Sequence, residues 1–344
     1  MPKTKIPRVC FDRVLPQDVM RFHNVFQPTR GPMRAISPIG KLWIVGSTLR
    51  VRFLGGSASQ QAIAREEAGW WTQHANLKFD FNNAPDAEIR ISYDSNDGAW
   101  SYVGTDAKGI PAGQATMNLG FLDGGTAGHE FGHAIGLAHE HQNPDGGIQW
   151  NEAVVIKALG GPPNNWPPDQ ARHNVLEKYT ANQIRGTKFD PKSIMLYFFP
   201  ADWTLNGIAT TQNEILSPTD KAFVASAQMY PKGSPGVAGA VELTVNAKTG
   251  TKASIGKPME EDLFKFTVVA GGRHIIETSG PTDVVMKLFG PNSQTALITE
   301  DDDSGLGSNA RIIADLVPGG YFVQIRHWNR TGGTGTYSIK VKKI

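Results

Sequence analysis

The chain has 344 residues, of which 40% are hydrophobic, and a formal net charge of +2. That length predicts about two domains with real cores. The small charge, with no long basic run, excludes a nucleic-acid partner, and no apolar stretch is long enough to span a bilayer. Cys10 is the one cysteine, so no intramolecular disulfide can form.

Residues 1–40 carry scattered prolines (Pro2, Pro7, Pro16, Pro28, Pro32, Pro38) and little periodicity. They read as an extended N-terminal segment lying on the surface of the domain that follows. No apolar run follows Met1–Lys5, so no ordinary secretory signal is visible. A first domain is expected over 41–231. Leu49–Phe53 alternates as a strand does. Ser57 or Ser59 can cap a helix running to about His74, with Ile63, Trp70 and Trp71 on or near its buried face. Strands are expected at Lys78–Phe81, Glu88–Tyr93 and Ala115–Leu119.

Residues His129–Glu140 then read His-Glu-Phe-Gly-His-Ala-Ile-Gly-Leu-Ala-His-Glu. On a helix His129 and His133 lie on one face, one turn apart, and can share a metal ion. Glu130 sits beside the first ligand and can reach a metal-bound water. Gly136 allows the sharp conformation that ends the helix and turns the chain back, so that His139 approaches the same ion. Three protein ligands leave a position open, the mark of a catalytic rather than a structural zinc.

Downstream, Asp169–Tyr179 looks helical. Ser217-Pro218-Thr219-Asp220 is a capping-box start with proline at the first helical position, opening a helix to about Met229. Residues 232–238 form a linker, and over 239–344 the pattern changes to period-two alternation. Strands are expected at Asp262–Val269, Arg273–Ser279, Asp283–Phe289, Ala310–Leu316, Tyr321–His327 and Thr336–Val341, which argues for a small all-β sandwich. Glu300–Gly305 holds four consecutive carboxylates, Asp301, Asp302 and Asp303 among them, and reads either as a solvated acidic loop or as a calcium site.

The run His-Glu-x-x-His-x-x-Gly-x-x-His resembles the metzincin metallopeptidases, and Glu140 directly after the third histidine resembles the astacin branch. Ser193-Ile194-Met195-Leu196-Tyr197 is similar to the methionine turn of that family. The resemblance implies an α+β metzincin-type catalytic domain, with a mixed sheet and a zinc-binding helix, and zinc-dependent endopeptidase activity. It implies that Met195 underlies the ligands, that Gly136 and Glu140 support the site, and that Tyr197 binds the metal or stabilises the transition state. It also implies that the last strand before the helix, with Thr116, Met117 and Asn118, pairs with an extended substrate. In latent metzincins an N-terminal Cys or Asp fills the open metal position; Cys10, with Asp12 as the lesser candidate, is placed to do this. The absence of disulfides departs from many animal astacins and looks more like a bacterial or fungal relative.

The last third of the chain resembles the pre-peptidase C-terminal domains of bacterial secreted proteases, through its strand order and Val317-Pro318-Gly319-Gly320-Tyr321. These likenesses imply protein or peptide substrates, a monomer and an extracellular place of action. A different reading stays open: a surface-binding or adhesion protein that uses the sandwich, with the zinc domain as scaffold. So does the choice between a dedicated maturation protease and a broad degradative one.

Overall fold

The computed structural model describes residues 10–13, 37–38, 40–162, 164–180, 184–186, 188–330 and 332–344. Most of the extended segment expected over 1–40 lies outside the described residues. The chain divides into two compact units with the main boundary after Lys232; Ile44–Ser47 groups with the second unit.

In chain order the first unit contains strands β1 (Phe11–Arg13), β2 (Ser37–Pro38) and β3 (Thr48–Phe53), helix α1 (Ala58–Thr72), and strands β4 (Lys78–Asp80), β5 (Ile89–Ser92), β6 (Ala99–Tyr102) and β7 (Met117–Leu119). Helices α2 (Thr126–Ala134), α3 (Glu152–Leu159) and α4 (Pro168–Ala171), the short strand β8 (Ile184–Arg185) and helix α5 (Pro218–Val224) follow. The α1 start is a full capping box: the Ser57 hydroxyl accepts from the Gln60 amide, and the Gln60 side chain accepts from the Ser57 amide. This satisfies two of the donors a helix start leaves orphaned. The helix expected over Asp169–Tyr179 is cut short, because α4 passes into a π-type turn at Arg172–Leu176. The α5 helix likewise stops at Val224, short of Met229.

Six strands form one mixed sheet in the order β1-β6-β7-β5-β3-β4. β3, β4, β5 and β7 run parallel, β6 is antiparallel to β7, and β1 pairs in parallel with β6. Two of these strands do not follow from the sequence. β6 is four residues between turns, and β1 is three residues in a stretch without periodicity. Their presence corrects the edge assignment. β7, with Met117 and Asn118, lies inside the sheet between β6 and β5, so Thr116, Met117 and Asn118 are not the free edge. Their polar groups turn inward. The Thr116 hydroxyl accepts from the Arg90 amide, and the Asn118 amide donates to the Asp94 and Gly98 carbonyls. Without β1, the edge on that side is β6.

The second unit is a two-sheet sandwich. Its strands are β9 (Val241–Glu242), β10 (Thr251–Ile255), β11 (Glu261–Val268), β12 (Gly272–Ser279), β13 (Val284–Phe289), β14 (Leu297–Asp301), β15 (Arg311–Leu316), β16 (Gly319–His327) and β17 (Gly335–Lys343). One sheet runs β10-β17-β12-β15, the other β14-β13-β16-β11-β9. Alternate residues of both sheets, among them Phe264, Ile276, Leu288, Val323 and Ile339, meet in a single core, as the period of a half-buried strand requires. The linker expected over 232–238 runs into a 3-10 turn at Gly236–Gly239.

Leu288 is fully buried in that core. Leu288→Ala should cost about 2–5 kcal/mol, measured as a lower urea midpoint for loss of hydrogen-exchange protection in β13 and β16. An unchanged midpoint would contradict the core described here.

Candidate metal centre and active site

Helix α2 carries the first two histidines, and every one of its residues is buried. Its N-terminal end is held from α1. A Glu67 oxygen accepts from the Gly128 amide at 2.8 Å, and the Trp71 indole donates to the Gly128 carbonyl at 2.7 Å. A carboxylate at a helix start meets both the orphan amides and the positive end of the helix dipole. Gly128 and Gly132 let these neighbours in. A Cβ at Gly128 would lie 2.8 Å from Trp70, and one at Gly132 would run into the Met195 sulfur and stand 2.9 Å from Trp71.

The C-terminal end is a Schellman turn. Gly136 has φ +102°, its amide donates to the His133 carbonyl, and the Leu137 amide donates to the Gly132 carbonyl. Three further carbonyls are taken by side chains from distant segments: Ala134 by the Trp43 indole (2.8 Å), Ile135 by the Tyr230 hydroxyl (2.7 Å) and Gly136 by the Ser37 hydroxyl (2.6 Å). The helix thus ends with its acceptors satisfied, and the chain turns back to bring in His139.

His129 and His133 direct their Nδ1 atoms to the Ile194 and Leu137 carbonyls, at 2.7 and 2.8 Å. A carbonyl only accepts, so each Nδ1 carries the proton and each Nε2 a lone pair. The Nε2 atoms converge, 3.1 Å between His129 and His133 and 3.0 Å between His133 and His139. Lone pairs facing one another in a dry space repel unless a cation lies among them. Tetrahedral zinc, with Zn–N bonds of about 2.0–2.1 Å, sets its ligand nitrogens about 3.3 Å apart. The residues therefore fit zinc. Burial pushes the His129 ring down to about 4 and the other two well below the usual imidazole range, so all three are neutral and able to ligate.

Glu130 is fully buried and neither of its oxygens has a hydrogen-bond partner of good geometry. Burial pushes its carboxyl well above the ordinary range; the Cys10 thiol works against this and the Asp12 charge adds to it. A divalent cation beside Glu130 would favour the carboxylate.

The methionine-turn residues lie directly beneath. The Ile194 carbonyl orients His129, and the Met195 carbonyl accepts from the Glu140 amide at 2.9 Å. Asp220 fixes the turn: one oxygen accepts from the Ser193 hydroxyl at 2.6 Å and the other from the Ile194 amide at 2.9 Å. Glu140 accepts from the Asn143 side chain and from the Asp190 amide, and Asp190 accepts from Ser217, the cap of α5. Glu67, Asp190 and Asp220 escape sequence reasoning as site residues. The capping box at Ser217–Asp220 is visible, but not that its Asp220 also holds Ser193 and Ile194.

The Tyr197 hydroxyl donates to the Cys10 carbonyl, and its ring lies 4.2 Å from that of His139 and stacks on His141 at 4.4 Å. His141 is itself held by Nε2 on the Asn174 carbonyl. Among the described residues two clusters can hold a metal: the three histidines, and Cys10 with His129 and Glu130, whose ligand atoms lie within 4.8 Å of one another. Burial first, then the Glu130 charge, pushes the Cys10 thiol up. Asp12 is buried too, but its carboxylate faces Nδ1 of His139 at 3.7 Å, the nitrogen pointing away from the metal position. This sets aside Asp12 as an occupant of that position. The calcium reading is not supported either. Glu300 and Asp301 belong to β14, and an Asp301 oxygen already accepts from the Arg311 amide at 2.6 Å and the Ser304 amide at 3.2 Å.

A family model described as Astacin, a peptidase family, matches residues 41–220. Among curated relatives, Blastula protease 10 of Paracentrotus lividus is 28% identical over 148 residues, covering 41% of this chain and 23% of that protein. Tolloid-like protein 1 of Homo sapiens is 28% identical over 180 residues, 52% of this chain and 16% of that protein. The match thus spans less than a quarter of these relatives' length. Among solved structures, myroilysin superposes with a TM-score of 0.55 at 33% identity, covering 58% of this chain and 100% of that one.

Gly132→Ala should displace Met195 or the helix itself, costing roughly 1–3 kcal/mol and weakening zinc binding in a chelator competition. Unaltered zinc affinity and stability would show that the close approach of Met195 is not needed.

Proposed function

We propose, for a chain that belongs to the astacin family of peptidases, that it is a zinc metalloendopeptidase with Glu130 as general base. The observation that carries this reading is the convergence of three imidazole lone pairs beside the buried Glu130 carboxyl, whose oxygens have no hydrogen-bond partner of good geometry. His129, His133 and His139 would hold the ion. Zinc in that position supplies Lewis acidity, lowering the pKa of a water towards neutrality and polarising the scissile carbonyl. Glu130 takes a proton from the attacking water and delivers it to the leaving amine. The Tyr197 hydroxyl, a donor beside the ligand rings, turns to the oxyanion as charge develops there. Met195, Gly136 and Glu140 act on the geometry of the ligands. Protein or peptide substrates follow, and an extracellular place of action fits the family resemblance. Among the described residues no helix is long and apolar enough to cross a membrane.

Substrate is taken up by strand addition. With β1 displaced, β6 presents the unpaired main-chain groups of a sheet edge to an extended peptide. In the form described here β1 occupies that edge, the Cys10 thiol lies with His129 and Glu130, and the Cys10 carbonyl takes up the Tyr197 hydroxyl. These contacts support the reading that this form is latent, with the segment around Cys10 covering the strand, the metal position and the tyrosine at once.

Added to the Cys10→Ser chain, Glu130→Gln should keep zinc but lose roughly 10²–10⁴-fold of casein cleavage, whereas His133→Ala should lose the metal; full activity of the glutamine variant would sink the base assignment. Cys10→Ser in the uncut full chain should raise cleavage of casein above that of the parent. Equal activity of the two, with zinc bound in both, would remove the latency reading.

A further inference from the structure

The four described residues Cys10–Arg13 alternate as a strand must. Cys10 and Asp12 face the histidines and Glu130. Phe11 and Arg13 point to the other face, beside Trp100 and Tyr102 in the β1–β6 register. Phe11 packs against the Trp100 ring (6.2 Å) and edge-on to Trp166 (5.7 Å), which fixes how far along β6 the segment sits. The Arg13 guanidinium lies 3.5 Å from the Trp100 ring centre, 5.9 Å from that of Tyr102, and 3.5 Å from an Asp97 carboxylate oxygen. A cation over an indole face with a carboxylate at its rim is a recognition site for a basic side chain.

The site does not rest on Arg13 for its form. The Trp100 indole donates to the same Asp97 oxygen at 2.8 Å, so ring and carboxylate are locked together. The Asp94–Gly98 turn that carries Asp97 is pinned from below by Asn118, which donates to the carbonyls of Asp94 and Gly98 and accepts from the Asp94 amide. Trp100 lies on β6 itself, the strand to which substrate would add. Removing β1 therefore leaves a preformed aromatic and acidic subsite on the substrate strand. Arg13 is three residues beyond Cys10, about 10 Å along an extended chain.

We propose that Trp100, Tyr102 and Asp97 form a specificity subsite for an arginine or lysine side chain about three residues to one side of the bond cut, and that Arg13 is its built-in occupant. The proposal rests on the reading of this cleft as a peptide-cleaving site and names a substrate class for it: extended peptides with a basic residue at that spacing.

Two measurements on the zinc-loaded full chain test it, neither needing turnover. In cis, Arg13→Glu should set the glutamate against Asp97 and raise amide hydrogen exchange at residues 11–13 on the order of tenfold; adding Asp97→Lys should restore protection. In trans, the chain carrying Arg13→Glu and Glu130→Gln is titrated with fluorescein-labelled extended peptides that differ at one position as Arg, Lys, Gln or Glu, read by anisotropy. Arg and Lys should bind on the order of tenfold more tightly than Gln, with Glu weakest. Asp97→Asn, which keeps an acceptor for the Trp100 indole, should abolish the preference. Equal binding of all four peptides, no binding of any, or a preference unchanged by Asp97→Asn would overturn the proposal. Absence of casein cleavage by the chain carrying Cys10→Ser, with zinc bound, would count against the peptidase reading and leave this result standing.

Discussion

Three imidazole lone pairs cannot share a dry space without a cation, and the first unit is arranged so that they must. Nothing local forces His139 towards His133; the chain has to reverse within six residues. Gly136 at φ +102° makes the reversal possible, and the distant donors Ser37, Trp43 and Tyr230 stabilise it by pairing carbonyls that the broken helix would otherwise bury bare. An unpaired buried carbonyl costs about 1–3 kcal/mol, so three such bonds weigh heavily in a fold of ordinary marginal stability. The glycines at Gly128 and Gly132 serve the same end: they let tryptophan and methionine side chains press on the helix where a methyl group would hold them off.

Two of the ligands are oriented by carbonyls, and the residue that supplies one of these carbonyls is held by a carboxylate. His129 is set by Ile194, Ile194 by Asp220, and Asp220 by the α5 start that it caps. Glu140 joins the turn through Met195 and reaches Asp190, which Ser217 of the same start holds. Burial raises both Glu140 and Asp220, and the hydrogen bonds each accepts oppose that shift. Orientation passed outward in this way is what a catalytic metal site requires of its surroundings: a small error in ring direction becomes a large error in where the open position points.

What is legible in the sequence follows from how local each feature is. The ligands and the base fall within eleven residues, so their spacing alone specifies the metal chemistry. The capping boxes at Ser57 and Ser217 are four-residue signals, and the structure shows both. The sandwich strands announce themselves by alternation over six to nine residues, while the shorter β9, β10 and β14 do not. Long-range partnerships leave no such trace. Glu67 capping α2, Asp220 fixing Ser193, and the three donors at the helix end each join segments tens of residues apart. The true edge of the sheet escapes for the same reason. β6 is too short to show a period, and strand order is a property of pairing rather than of any one segment.

An open strand beside a catalytic site is a template for any extended chain, and in the described form the chain's own residues 11–13 lie on it. Tethering makes this contact intramolecular, so even a short pairing competes at a high effective concentration. Its weakness is its length. Three paired residues, one aromatic, one cation and the contacts of Cys10 hold this segment in place, whereas a substrate can extend along the strand in both directions. On the proposal that these groups also read substrate, such a segment needs no separate inhibitory surface. Its release need not unfold anything: once the tether is cut, the effective concentration falls away while the wall of Trp100, Tyr102 and Asp97 keeps its form through the Trp100–Asp97 bond and the Asn118 anchor.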